Sequence, residues 1–387
     1  MTTREQQRET PVLADSDRAR RALAPAAVGL VAAIYIHFLI FAQFGFLQGI
    51  RAAGHPQEQV HRVLGAMALA GILTSFGAAA LLRRGAARRV GAAGLALSAT
   101  AGMLGSWAFS AATPDLPLLT AIAVLIGSGL AAATVATAIL LRRFTGGHRV
   151  GLHVGIGTGL AYLICNVPAV FNASPATSGW IGAAAALVGL AAVAAPDKPG
   201  RVSPAEHYRT FAAIPGVALA TVGFLALVWF DSAAFARVQQ DAAARAVFWS
   251  GSGRLWAIGA SHAVAALVAG AWIDRGGLRA VLASAFLMIA AGHLAFAAQG
   301  GAPWAAPLYA AGVSCYSTAL AGFAALAPAA PGLPPAWRAA WVYSVAGWVG
   351  SAAGVGLVEQ TGRVPAWALP LAAVVLLPTV LRLRVPA

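Results

Sequence analysis

The sequence predicts an all-α membrane protein of twelve transmembrane helices in two six-helix, pseudo-symmetric bundles. Three observations predict it. The 387-residue chain is 59% hydrophobic and only 10% charged, with a mean hydropathy of +0.76, whereas a soluble protein carries about 25% charged residues. It divides into twelve apolar runs, each near the length of about 20 residues that a membrane crossing needs. Its longest connection, Pro196–Thr210, is rich in proline and charge and falls at mid-chain.

Taken in order, Met1–Arg21 is a polar tail of mixed charge. The run after it, Ala22–Gln48, is too long for a signal-peptide core and reads as a retained first span. Val63–Leu82, Val90–Ser110 and Leu116–Leu141 follow, separated by short polar turns. The fifth span, Val150–Phe171, carries Gly151, Gly155 and Gly159 at four-residue spacing, a face for close helix approach rather than a phosphate loop. The sixth, Gly179–Ala195, closes a first bundle over 22–195, and the linker over 196–210 leads to a second over 211–387. That bundle holds Phe211–Ala234, Leu255–Ile273, Leu278–Ala298, Ala302–Leu326, Ala339–Val358 (with Gly350 and Gly354 as a second small-residue face) and Pro365–Leu381. Prolines within or beside spans (Pro168, Pro328, Pro370) are tolerated in a membrane and mark kinks.

Charge sets the orientation. With the N-terminus cytoplasmic, 20 of the 26 basic residues fall on the cytoplasmic side, and only Arg51, Arg62, Arg237, Arg245, Arg254 and Arg363 fall outside. This positive-inside bias puts both termini in the cytoplasm. The net charge of +14 is carried in short clusters between apolar runs, without a basic face, which excludes a nucleic-acid surface. Cys165 and Cys315 each lie inside an apolar run, and no CxxC occurs. Lys198 is the only lysine beside 25 arginines, a usage that suggests a GC-rich bacterial genome and hence the inner membrane.

Two loops at matching places share a character. After span 8 the chain reads Gly270-Ala-Trp-Ile-Asp274-Arg275-Gly276-Gly277-Leu-Arg279-Ala-Val-Leu282; after span 2 it reads Leu81-Leu-Arg83-Arg84-Gly85-Ala-Ala-Arg88-Arg89-Val. Such loops suit a gate, because the arginines can face helix C-termini and the acid a helix N-terminus. The first of these loops resembles the G-x-x-x-D-R-x-G-x-R-x-x-L signature of the major facilitator superfamily, through Gly270, Asp274, Arg275, Gly277, Arg279 and Leu282. In the loop after span 2, Arg83 stands where the acid should be. The resemblance implies two bundles around a central cavity lined by spans 1, 4, 7 and 10 and flanked by spans 2, 5, 8 and 11. It also implies alternating access by rocking of the bundles. Asp274, Arg275, Arg279, Arg83 and Arg84 are the expected gating residues.

Polar groups inside the spans are few. Of 12 acidic residues, Asp231 alone is embedded in apolar sequence. A charged side chain at mid-membrane costs about 2.5–3.5 kcal/mol on insertion scales, so it faces a bundle interior and has a role, unless it sits wet at a helix end. Arg237 or Arg254 could hold it as an ion pair, which would weaken a proton-carrying role. His37 and Gln48 are about three turns apart and share a face in an α-helix, with Gln43 about 120° away. Aligning the two bundles sets Gln43 near Asp231. His262 is a second embedded imidazole, His293 reads as a core histidine, and His153 reads as interfacial. Thr134, Thr137, Asn166, Tyr309, Cys315, Tyr316 and Tyr343 are milder candidates, of which Asn166 and Tyr316 stand first.

The expected function is secondary active transport of a small solute, coupled to protons. The candidate substrate and coupling residues are His37, Gln43, Gln48, Asn166, Asp231, His262 and Tyr316. No Walker motif, and no HExxH or HxxxD spacing, points to ATP drive or to an enzyme. Copper-like metal import is the alternative within the superfamily, resting on Cys315 and two histidines; a multi-span membrane enzyme or sensor is the alternative of another class. No cofactor and no resident metal is expected. The expected partners are a small-molecule substrate, protons and the lipid bilayer, around a monomer. The sparse charge favours a neutral, amphipathic or cationic solute over a multiply anionic one.

Overall fold

A single apolar chain folds in a membrane only by closing its backbone hydrogen bonds internally, and here it does so as helices. The computed structural model describes residues 24–110, 114–196, 213–299, 302, 304–326 and 333–383. The expected tail 1–21 and the expected linker beyond Pro196 lie outside these residues. Six long helices precede the linker: α1 Pro25–Ala52, α2 Gln57–Leu82, α3 Ala87–Ser110, α4 Leu116–Thr145, α5 Val150–Cys165 and α6 Pro175–Ala194. Six follow it: α7 Ala213–Gln240, α8 Ser252–Ile273, α9 Leu278–Gln299, α10 Ala305–Leu326, α11 Pro335–Thr361 and α12 Ala368–Arg382. Ten of them are long and apolar enough to cross a membrane, and α5 and α12 are shorter apolar helices. The chain is a multi-pass membrane protein.

Four departures from the sequence reading have local causes. Span 5 stops at Cys165 and resumes as a short helix over Pro168–Phe171. Pro168 has no N–H and holds Val167 extended, with φ −61° and ψ 125°, so the helix breaks there. The seventh helix runs past the expected Ala234 to Gln240. Arg237 therefore lies within it and pairs with Asp241 at 2.6 Å. Asp241 in turn caps a further short helix, Ala242–Trp249, accepting from the N–H groups of Ala243 at 2.9 Å and Ala244 at 3.1 Å. The Ala244 N–H, with Arg237 and the Ala243 N–H, holds the Asp241 carboxyl below the usual carboxylate range.

The third departure is within two spans. α1 is π-helical over His37–Gly45, and α11 over Tyr343–Gly350. A π segment closes i→i+5 bonds and turns less per residue than an α-helix, so the register expected for His37 and Gln48 is lost. The fourth is Arg338, read as a cytoplasmic loop residue: it lies in the first turn of α11 and is fully buried.

Each set of six helices has its own apolar core. One core runs from Ala24 to Val193 and takes in residues of α10 and α11; the other runs from Ala220 to Leu383 and takes in Leu39, Ile40, Tyr162 and Cys165. The two sets meet where α5 packs on α8 and α2 packs on α11. The glycine face of α5 makes the first contact close: a Cβ on Gly155 would lie 2.4 Å from the Ala266 carbonyl oxygen, and one on Gly151 would lie 2.5 Å from that of Gly270. Outward faces remain apolar, with Leu73, Leu187, Val264, Leu287 and Val374 exposed, as a lipid-facing surface requires. Trp107, Trp180, Trp256, Trp304 and Trp367 are exposed near the helix ends of one side, the usual place of an interfacial aromatic belt.

Because the neighbour at Gly155 is backbone and cannot move aside, Gly155→Ala forces α5 and α8 apart. The expected cost is about 1–3 kcal/mol of overpacking. Thermal unfolding of the purified protein in detergent checks it; an unchanged Tm contradicts the close approach.

Candidate functional site

Between the two sets of helices lies a cavity of about 280 Å³. Its walls come from α1 (Tyr35, Gln43, Phe44), α4 (Thr134, Thr137), α5 (Tyr162, Asn166) and α7 (Asp231, Phe235). They are completed by α8 (His262), α10 (Tyr309, Tyr316) and α11 (Tyr343, Trp348). α2, α3, α6, α9 and α12 contribute no lining residue.

Asp231 sits on the wall and is only 8% exposed. Nine residues separate it from the end of α7 at Gln240, about 14 Å at 1.5 Å per residue, so it is not a wet terminal residue. Tyr309 and Tyr316 donate from their hydroxyls to Asp231, one to Oδ1 and the other to Oδ2. Spaced by seven, the two tyrosines share a face of α10. Tyr309 also reaches the Asp231 carbonyl oxygen at 3.1 Å. A carboxyl whose two oxygens both accept is arranged as the ionised form.

The two expected arginine partners are engaged elsewhere. Arg237 pairs with Asp241, and Arg254 donates to the Ala246 carbonyl at 3.5 Å. Among the described residues the side-chain partners of Asp231 are the two phenols alone.

A second group of side chains ties the halves together below the acid. Tyr162 of α5 stacks on His262 of α8, with centroids 4.0 Å apart and planes within 6°. Its hydroxyl lies 3.1 Å from Ser317 Oγ, while Tyr35 of α1 donates to the Ser317 carbonyl at 2.9 Å. His262 Nδ1 lies 2.7 Å from Ser314 Oγ. Asn166 lines the cavity and donates from its side chain to the Tyr162 carbonyl at 2.8 Å, which also accepts the Asn166 backbone N–H at 3.1 Å. An aromatic cluster completes the wall: Phe44 and Phe171 from the first half meet Phe235 and Trp249 from the second, with ring centroids 5.5–6.0 Å apart.

Of the residues expected at the site, the structure brings Gln43, Asn166, Asp231, His262 and Tyr316 to the cavity. Two are corrected. His37 is turned away from the cavity, with Nδ1 3.1 Å from the Gly182 carbonyl of α6, and Gln48 is exposed near the end of α1. The π segment between them removes their shared face. His153, expected at the interface, is buried; its Nε2 accepts from the Ala24 N–H at 2.9 Å, and its Nδ1 lies 2.7 Å from the Arg149 carbonyl. Tyr162, Tyr35, Phe44 and Trp249 were not singled out by sequence. Tyrosine in a span was the available signal: all five tyrosines among the described residues line the cavity.

Contacts between halves flank the cavity on both sides. On the side of the α8–α9 loop, Asp274 accepts from the N–H groups of Gly151 at 2.7 Å and Leu152 at 2.8 Å, at the start of α5. Within the second half, Arg279 at the start of α9 donates to the Leu381 carbonyl at 3.4 Å, near the end of α12. Arg275 of the α8–α9 loop is exposed, as are Arg83 and Arg84 in the corresponding turn after α2. On the opposite side His61 of α2 pairs with Glu359 of α11 at 2.7 Å. The described residues hold no group of three or more His, Cys, Asp or Glu side chains able to hold a metal ion. The Cys315 thiol, on which metal import rested, donates to the Ala265 carbonyl at 3.8 Å.

This arrangement defines a class: helices in two sets around a central cavity, with contacts between the sets on both sides of it. Solved structures share it. The chain is similar to a major facilitator superfamily transporter, FucP, in the outward conformation, with TM-score 0.65 and 15% identity over 94% of this chain and 98% of that one. It is also similar to the proton:xylose symporter XylE bound to 6-bromo-6-deoxy-D-glucose, with TM-score 0.62 and 12% identity over 92% and 94%. No protein-family model and no curated protein matches the sequence. The fold is that of the major facilitator superfamily transporters.

Each phenol satisfies one oxygen of a buried carboxyl, and loss of a hydrogen bond to a charged group costs about 1.5–3 kcal/mol. Tyr316→Phe is therefore expected to lower the Tm of the purified protein without changing its helix content by circular dichroism. A Tm equal to wild type contradicts the bond.

Proposed function

We propose that the chain is a secondary transporter that moves a small solute by alternating access, with Asp231 as the group that couples the cycle to protons. One observation carries the reading: a buried carboxyl lines the central cavity and is held by neutral phenols rather than by an arginine. A carboxylate locked to arginine keeps its charge, whereas one held by hydroxyls can take up and lose a proton. That XylE, with the same fold, is a proton:xylose symporter supports the coupling.

The two six-helix halves rock about the cavity as rigid bodies, each with its own core. The Asp274 contact with the start of α5 and the His61–Glu359 pair are the inner and outer latches, broken in turn. The bias of basic residues toward one side supports a cytoplasmic position for that side and for both termini, in a bacterial inner membrane.

The test is uptake and efflux by the purified chain in proteoliposomes with an imposed pH gradient. The solutes are a radiolabelled panel of sugars, amino acids and organic amines. Wild type is expected to move at least one solute down the imposed gradient. Asp231→Asn is expected to abolish the proton-driven component. Undiminished proton-driven flux in the variant overturns the coupling role.

A further inference from the structure

Resting on the transport reading, we propose that the substrate is an organic monocation. Its charged centre is held between the Asp231 carboxylate and the aromatic faces of Phe44, Phe235 and Trp249. Charge is the first ground. Among the described residues, Asp231 is the only carboxylate in the cavity wall, and neither lysine nor arginine lines it. A buried charge needs a counter-charge. In its ionised state Asp231 has hydroxyl partners but no cation among the described residues, so the site is complete only when its occupant is positive.

Hydrogen-bonding capacity is the second ground. A sugar or other polyol needs a partner for each hydroxyl. Here the wall's own groups are already engaged: Thr134 and Thr137 donate to carbonyls of their own helix, at 2.7 Å each. Ser232 donates to Ser351 at 3.2 Å, and Tyr343 to the Ala321 carbonyl at 3.3 Å. With Tyr35 and Tyr162 committed to Ser317, the Gln43 amide and the indole N–H groups of Trp249 and Trp348 are the lining groups with no hydrogen-bond partner among the described residues. The wall thus offers a polyol few free donors, although the wall's hydroxyl oxygens can still accept.

Aromatic surface is the third ground. Phe235 follows Asp231 by one turn on the same face of α7, so its ring lies beside the carboxylate. Phe44, 5.5 Å from Phe235, and Trp249, 5.8 Å from Phe235, complete a cluster contributed by both halves. Ring faces attract a cationic centre, most strongly when water is excluded. The geometry suits an alkylammonium group with an apolar body.

The test is isothermal titration of the purified full chain in detergent with benzyltrimethylammonium, with neutral benzyl alcohol and with D-xylose. The cation is expected to bind. The alcohol and the sugar are expected to bind at least tenfold more weakly, as is the cation to Asp231→Asn and to Phe235→Leu. Tm measurements identify variants that retain the fold; where Asp231→Asn does not, Phe235→Leu carries the comparison. Cation binding no tighter than that of benzyl alcohol, equal cation binding by a folded variant, tighter binding of D-xylose, or no binding of any probe overturns the proposal. Binding is read without flux. Intact cation binding with no solute moved in proteoliposomes sinks the transport reading alone, and sugar flux without cation binding sinks this one alone.

Discussion

A carboxyl group placed among apolar helices must be given hydrogen-bond partners, and the structure meets that constraint with two phenols from a single facing helix. Asp231 is two and a half turns from the end of α7, too deep to reach water along its own helix. Tyr309 and Tyr316, two turns apart on α10, satisfy one oxygen each. The choice of partner matters chemically. Arginine would have fixed the charge; tyrosine satisfies the oxygens and leaves the charge uncompensated. Around this pair the cavity gathers its other groups, with Tyr35 and Tyr162 of the first half bonded to α10 at Ser317, so that α10 connects the acid to both halves.

The contacts between the two sets of six helices differ on the two sides of the cavity. Asp274 caps the start of α5, where the N–H groups of Gly151 and Leu152 are free to donate because the helix has only just begun. In the matching loop Arg83 replaces the acid, and the helix it would have capped, α11, starts with Pro334 and Pro335. Neither proline has an N–H, so α11 presents fewer donors that call for an acid. α2 and α11 are joined instead by apolar packing, with Phe76 5.3 Å from Trp341, and by the His61–Glu359 pair at the other end.

Much of this was legible in the sequence because membranes impose coarse rules. Hydropathy and basic clusters were enough for twelve helices, the glycine stripe of α5 for its packing face, and one embedded acid for the centre of the cavity. The illegible parts depend on geometry that periodicity does not encode. Pairing His37 with Gln48 assumed an α-helical turn through His37–Gly45, where the chain is π-helical. Pairing Asp231 with Arg237 assumed that α7 ended early, whereas it continues and gives Arg237 to Asp241. Tyr309 and Tyr162 were individually ordinary; their importance arises from what tertiary packing sets beside them. The short helix Ala242–Trp249, which brings Trp249 to the cavity, lies in a connection where hydropathy carries no signal.

The central claim is that Asp231 is a carboxyl held by phenols and able to change protonation inside the cavity. Infrared difference spectroscopy of the reconstituted protein, stepped through pH, reads this directly in the carbonyl stretch that a protonated carboxyl has and a carboxylate lacks. Asp231 is expected to contribute a component of that band that grows as pH falls in wild type and is missing from the spectrum of Asp231→Asn, above the carbonyl signal of the other carboxyl groups. Wild-type and Asp231→Asn spectra with the same carbonyl band at every pH would contradict the claim.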